Sequence, residues 1–130
     1  MSTSKMEHIE TLERYLKEKA NVRDYVLFIT LIYCDNKIKD ILPLKVNERG
    51  KLHSKKSKVN MLITKLIKDQ KLSPGDYLFQ TQKKGHLKPS YVSELLTRLY
   101  ETFSFEKMTV LQMRKAVEEA KTHERKLGTK

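Results

Sequence analysis

The sequence predicts an α+β fold that is mainly helical and carries a small β-hairpin. Three observations predict it. Apolar residues recur at i, i+3, i+4 and i+7 in several separate stretches, the spacing of one buried helix face. Two short stretches of strand character, Leu44–Val46 and Lys51–Ser54, flank the turn residues Asn47-Glu48-Arg49-Gly50, where Gly50 would supply a positive φ. The chain has 130 residues, 38% of them apolar, which fits a single domain over 1–130 with one core.

Taken in order, Ser4-Lys5-Met6-Glu7 has capping-box spacing, and Met6, Ile9, Leu12 and Leu16 mark a helix over about residues 5–18. Asn21 caps the next helix, and Asp24 in its first turn suits the positive end of the dipole. Val22, Val26, Leu27, Ile29 and Ile32 leave this helix little polar face, so it is the expected core helix. Its apolar run, Tyr25–Cys34, is too short to span a bilayer. The chain then turns through Asp35-Asn36-Lys37, and a short amphipathic piece, Ile38–Leu42, leads past Pro43 into the hairpin. From Ser57 to Gln70, Val59, Leu62, Ile63, Leu66 and Ile67 form a helical stripe. Leu72–Asp76 is a turn, Tyr77-Leu78-Phe79 a short apolar segment, and Gln80–Leu87 a polar, basic loop. Pro89 opens a helix with Val92, Leu95, Leu96, Leu99 and Phe103 inward. Thr109 and Gln112 form a second capping box, ahead of a last helix over about 110–126 with Val110, Met113, Val117 and Ala120 on one face. The tail from Gly128 is expected to fray.

Charge points to the partner. Lys plus Arg number 27 against 16 Asp plus Glu, a formal net charge of +11. A small domain this basic is built to meet a polyanion, nucleic acid first, unless the charge serves solubility alone. The stretch 45–58 is densely basic, through Lys45, Arg49, Lys51, Lys55, Lys56 and Lys58. On a hairpin such residues line a nucleic-acid backbone or, equally, blunt a sheet edge. The single cysteine, Cys34, cannot form an internal disulfide, so a reducing, cytoplasmic setting is expected. The N-terminus has no apolar signal segment.

Other chemistries find no support. His8, His53, His86 and His123 lack metal-ligand spacing. There is no Gly-rich phosphate loop and no serine nucleophile elbow, so no cofactor is expected. Read as a helix-turn-helix, residues 21–42 have too apolar a first helix and too short a second.

The order of parts resembles the catalytic domain of tyrosine recombinases, the phage-integrase family, over about Met6–Ala120. The residues that carry the resemblance are Arg23–Phe28, Ile38–Val46 after the position of the family's first catalytic arginine, Asp76-Tyr77-Leu78-Phe79, the basic loop and the helix from Pro89. The resemblance implies transesterification at a DNA phosphate. A tyrosine attacks, two arginines hold the non-bridging oxygens, and a hairpin lysine serves the leaving oxygen. The first arginine falls on Lys37; the lysine is Lys55, Lys56 or Lys58. The second arginine matches Arg114, but the histidine three residues before it is Leu111, which transfers no proton. The chain stops at Lys130, before any equivalent of the last histidine or the nucleophilic tyrosine. Tyrosines 15, 25, 33, 77, 91 and 100 all precede that region, and most of them read as packing residues.

The expectation is therefore a catalytically inactive, recombinase-like protein that binds double-stranded DNA, a regulator or accessory factor of a phage or mobile element. Its phosphate contacts would be Lys37, Arg49, Lys55, Lys56, Lys58, Lys83, Lys84, Arg114 and Lys115. The alternative is an interaction module that pairs with a full-length recombinase, a recombinase-like repressor or a second copy of itself. No membrane partner is expected.

Overall fold

In the computed structural model, which describes residues 5–128 and their side chains as far as residue 120, the described residues form six α-helices with α2 buried at the centre: α1 (Lys5–Lys19), α2 (Val22–Tyr33), α3 (Ile38–Ile41), α4 (Ser57–Gln70), α5 (Pro89–Phe103) and α6 (Val110–Gly128). The helices fall where apolar periodicity predicts them, so the fold is mainly helical. α2 is the core. Val26, Leu27 and Ile29 are fully buried, and Phe28 nearly so. Burying such a side chain contributes roughly 1.5–3 kcal/mol, which decides in favour of a helix covered on all sides. α1, α4 and α6 supply that cover, with Ile9, Leu12 and Leu16 from α1 and Val59, Ile63 and Leu66 from α4. Met113 of α6 and the α5 stripe Val92, Leu95, Leu96 and Leu99 close the same cluster.

The helix ends follow the local chemistry of the sequence. The Asn21 side chain accepts the Asp24 N–H at 2.8 Å and starts α2. At α6, Thr109 and Gln112 exchange hydrogen bonds of 2.8 and 3.1 Å, a complete capping box. Pro89 stands in the first turn of α5. Lys71 (φ 53°) and Ser104 (φ 55°) end α4 and α5 in the left-handed conformation, without glycine. The Ser4 capping box lies partly outside the described residues, as does the tail beyond Gly128.

The hairpin is not formed. Residues Val46–Lys51 make a short 3-10 helix instead, and Gly50 does not have a positive φ. Local bonds explain the difference. The Glu48 carboxylate accepts the Lys45 N–H at 3.0 Å, and the Glu48 N–H returns to the Lys45 carbonyl at 2.9 Å. The pairing edge of 44–47 is used elsewhere: Val46 N–H reaches Asp76 O at 2.9 Å, Asn47 N–H reaches Pro74 O at 3.0 Å, and Leu78 N–H reaches Leu44 O at 2.9 Å. Extended pairing among the described residues is thus confined to isolated bridges, Cys34 with Ser54, Lys45 with Tyr77 and Gln80 with His86. A turn that reads as a hairpin in sequence is overridden by a carboxylate cap and a more distant partner segment.

Candidate nucleic-acid interface

The elbow after α2 is built by backbone bonding. The Asp35 N–H donates to His53 O at 3.1 Å rather than back into the helix, and the Lys55 N–H donates to Tyr33 O at 2.7 Å. Asn36 holds the same segment from both sides, giving its amide to Lys51 O at 2.9 Å and accepting the His53 N–H at 2.8 Å. This leaves carbonyls at the end of α2 in need of donors. Arg114 supplies them: Nε to Leu31 O at 2.7 Å, Nη2 to Asn36 O at 2.7 Å and Nη1 to Asp35 O at 3.4 Å. The guanidinium also places a positive charge at the negative end of the α2 dipole. Burial pulls its pKa below the usual arginine value, an effect countered by the nearby Cys34 and Asp35. Three of its five N–H groups are used in these bonds.

The expected contact residues separate into groups. Lys37 is exposed at the start of α3, next to the Asn36 carbonyl that Arg114 holds, and Lys115 is exposed one residue after Arg114. Lys55 also stands at the elbow, but between two carboxylates, Glu118 at 3.1 Å and Asp35 at 3.3 Å, whose hydrogen bonds raise its pKa. Lys58 pairs with Glu13 at 3.2 Å. Lys56 and Lys58 lie 5.0 and 4.4 Å from the centre of the Tyr33 ring, a cation–π arrangement. Lys51 pairs with Glu48 at 2.9 Å. Arg49 is a packing residue, its guanidinium donating to Asn60 O at 3.0 Å and Thr64 Oγ1 at 2.9 Å on α4. The lysines expected on a hairpin edge therefore sit among acids drawn from α1, the elbow, the 3-10 helix and α6. No sequence spacing announces those partners.

Lys83 and Lys84 are not gathered with the elbow residues. Their loop is anchored near the other end of α2, where Arg23 Nη1 donates to Gln80 O at 3.1 Å. A helix of twelve residues separates the two anchors by about 18 Å. The anchor is part of a network with no signal in the sequence pattern. Asp24, buried, accepts the Tyr91 hydroxyl at 2.6 Å and Arg23 Nε at 3.2 Å, while Arg23 Nη2 donates to Tyr91 Oη at 3.0 Å. Burial, then the hydrogen bond to Asp24, raises the Tyr91 pKa.

The hydroxyls of Tyr33, Tyr91 and Tyr100 are occupied. The Tyr33 hydroxyl donates to Glu13 at 2.5 Å, and burial followed by that bond pushes its pKa far above the ordinary value. The Tyr100 hydroxyl donates to the Met108 carbonyl, and burial pushes its pKa up to about 12. Tyr15 packs edge-on against Phe103, and Tyr77 against His86. Cys34 is buried, its thiol pushed up to about 11 by desolvation. Leu111 is 73% exposed on α6. Among the described residues no group of His, Cys, Asp and Glu is placed to hold a metal ion, and no helix is long and apolar enough to cross a membrane.

Comparison of the chain with protein-family models, curated proteins and solved structures gives no match.

Proposed function

We propose that the protein binds double-stranded DNA through the phosphate backbone without cutting it, as a regulator or accessory factor of a phage or mobile element. The observation that carries this reading is the contact of Arg114 with the elbow. Arg114 and Asn36 lie 78 positions apart in the chain, yet a 2.7 Å hydrogen bond joins them, beside Lys37. In the tyrosine-recombinase resemblance, positions 37 and 114 are those of the two phosphate-holding arginines. Their neighbourhood, with a net charge of +11 on the chain, supports a phosphate-binding role. Leucine at position 111 and tyrosine hydroxyls already donated to Glu13, Asp24 and Met108 O argue against strand transfer.

The test is a titration of a labelled 20-bp duplex, read by fluorescence anisotropy, at 50 and 200 mM salt. With six or more phosphate contacts the affinity falls about a thousandfold across that range. Lys37→Ala and Lys115→Ala, both at exposed positions, each weaken binding. Absence of binding at 50 mM salt overturns the reading, and a stable complex with a recombinase-like chain would then replace it with the pairing role.

A further inference from the structure

Residues 79–88 fold into a narrow finger. Its two sides are tied by Leu87 N–H to Phe79 O at 3.0 Å, by the bridge between Gln80 and His86, and by Thr81 N–H to Gly85 O at 2.8 Å. The tip is a tight turn closed by Lys84 N–H to Thr81 O at 3.0 Å and by Gly85 N–H to Thr81 Oγ1 at 3.2 Å. Arg23 pins the root at Gln80 O. The turn presents Lys83 and Lys84, both exposed, at the end of a backbone with little freedom left to lose on binding.

Two further features bear on this element. Lys84 has φ 66°, a left-handed conformation that disfavours any residue with a Cβ and suits glycine. Lys71 and Ser104 take the same conformation at helix ends, so at Lys84 it marks a tight turn that lysine closes at some conformational cost. The charge is also uncompensated in sequence, since residues 79–88 contain Lys83, Lys84 and Lys88 and no Asp or Glu. Lys45 stands at the root, where the Glu48 carboxylate partly answers its charge. Its ammonium lies 5.8 Å from the centre of the Tyr77 ring, and that ring packs edge-on against His86 at 5.2 Å.

We propose that this finger, with Lys45 and Lys88 at its base, is the principal phosphate-contacting element of the protein, and that the elbow contributes less. The proposal rests on the DNA-binding reading and gives it a location. A preformed turn carrying adjacent cations tracks a duplex backbone at low entropic cost, whereas the lysines of 51–58 must first leave their carboxylates.

The experiment compares duplex binding by the wild-type chain, Lys84→Gly, Lys83→Ala/Lys84→Gly and a control, Lys65→Ala/Lys68→Ala, which removes the same charge from the exposed side of α4. Lys84→Gly holds or raises the melting temperature by up to about 4 °C, because the strained residue is replaced, while weakening binding. The double finger variant binds about tenfold or more weakly at 100 mM salt, and its plot of log affinity against log salt is shallower by about 1.8, or 0.9 per phosphate contact. The control changes that slope by less than half as much. Equal losses in the finger and control variants, or wild-type binding by the finger variant, overturn the proposal. Binding that survives the finger changes but is lost in Lys37→Ala/Lys115→Ala overturns the finger and leaves the DNA reading standing. Absence of wild-type binding at 50 mM salt removes both.

Discussion

Residues 51–58 and 79–88 are both lysine-rich, and the structure surrounds them differently. In the first, Lys51, Lys55 and Lys58 each face a carboxylate, and Lys56 and Lys58 lean on the Tyr33 ring. In the second, Lys83 and Lys84 stand at the tip of a hydrogen-bonded turn that contains no acid. The difference shows that charge counted along a chain is not the field a ligand meets. A lysine beside an aspartate presents a dipole, and only an uncompensated cation attracts phosphate at a distance. The elbow differs from the finger in another way as well. Its arginine closes the C-terminal end of α2, so it serves the fold before it serves any ligand.

The sharpest way to break this contrast is Arg114→Ala. Removing the guanidinium leaves Leu31 O and Asn36 O without their donor in a part-buried setting. With charged hydrogen bonds worth about 1.5–3 kcal/mol each, the expected loss is about 3 kcal/mol, measured by urea unfolding. Arg114→Lys recovers little, because a single ammonium cannot reproduce the planar fork. A loss below about 1 kcal/mol would mean the elbow is not held by this residue.

The root of the finger comes next. Tyr91→Phe removes the hydroxyl that joins Asp24 to Arg23 and leaves the Asp24 carboxylate one donor short. The expected cost is about 1–2 kcal/mol. Faster hydrogen exchange should follow at the Thr81 and Gly85 amides, because the Arg23 anchor loosens. Exchange confined to the amides of α2 would separate the network from the finger.

Cys34 reports on the elbow by pH and by reagent. Its folded thiol titrates at about 11 against 9.0 for the unperturbed group. The protonated form is thus favoured by folding. That contribution is complete below pH 9 and is lost as pH rises through 11. A thiol reagent at pH 8 should leave the native protein nearly unmodified, the thiolate being the reactive form. In Arg114→Ala the thiol pKa rises further once the guanidinium charge is gone, so the rate per thiolate should rise as the elbow opens; an unchanged rate per thiolate would show that the elbow stays shut without its clamp.

The smallest effect is expected for Lys55→Ala/Lys58→Ala. The exposed pairs of Lys55 contribute little to stability, and the part-buried pair of Lys58 with Glu13 somewhat more. Their lysines are already shared with Asp35, Glu118 and Glu13, so the salt slope of duplex binding should move less than in the finger variant. A larger change here than at the finger would reverse the ranking of the two regions.

Much of the fold was legible residue by residue. The i, i+3, i+4 spacing at Val59–Ile67 and Val92–Leu99, the Asn21 cap, Pro89 and the Thr109–Gln112 box each act within one or two turns of chain, and each is where the sequence places it. Asn47–Gly50 misled because the Glu48 carboxylate caps the turn locally and the pairing edge is taken by Pro74 and Asp76. At the site, Lys37 and Arg114 were readable as neighbours only through the resemblance. The roles of Arg49 and of the 55–58 lysines were not readable at all, since their partners lie on separate elements.

The helices, their caps, the buried character of α2 and the surplus of positive charge can be read from the chain alone, because periodicity, capping and net charge are properties of neighbouring residues or of plain counting. Only the tertiary structure decided which cations are answered by carboxylates, which arginine is spent on closing a helix and which turn is held rigid. Those outcomes depend on side chains tens of residues apart meeting within about 3 Å, and packing alone arranges that.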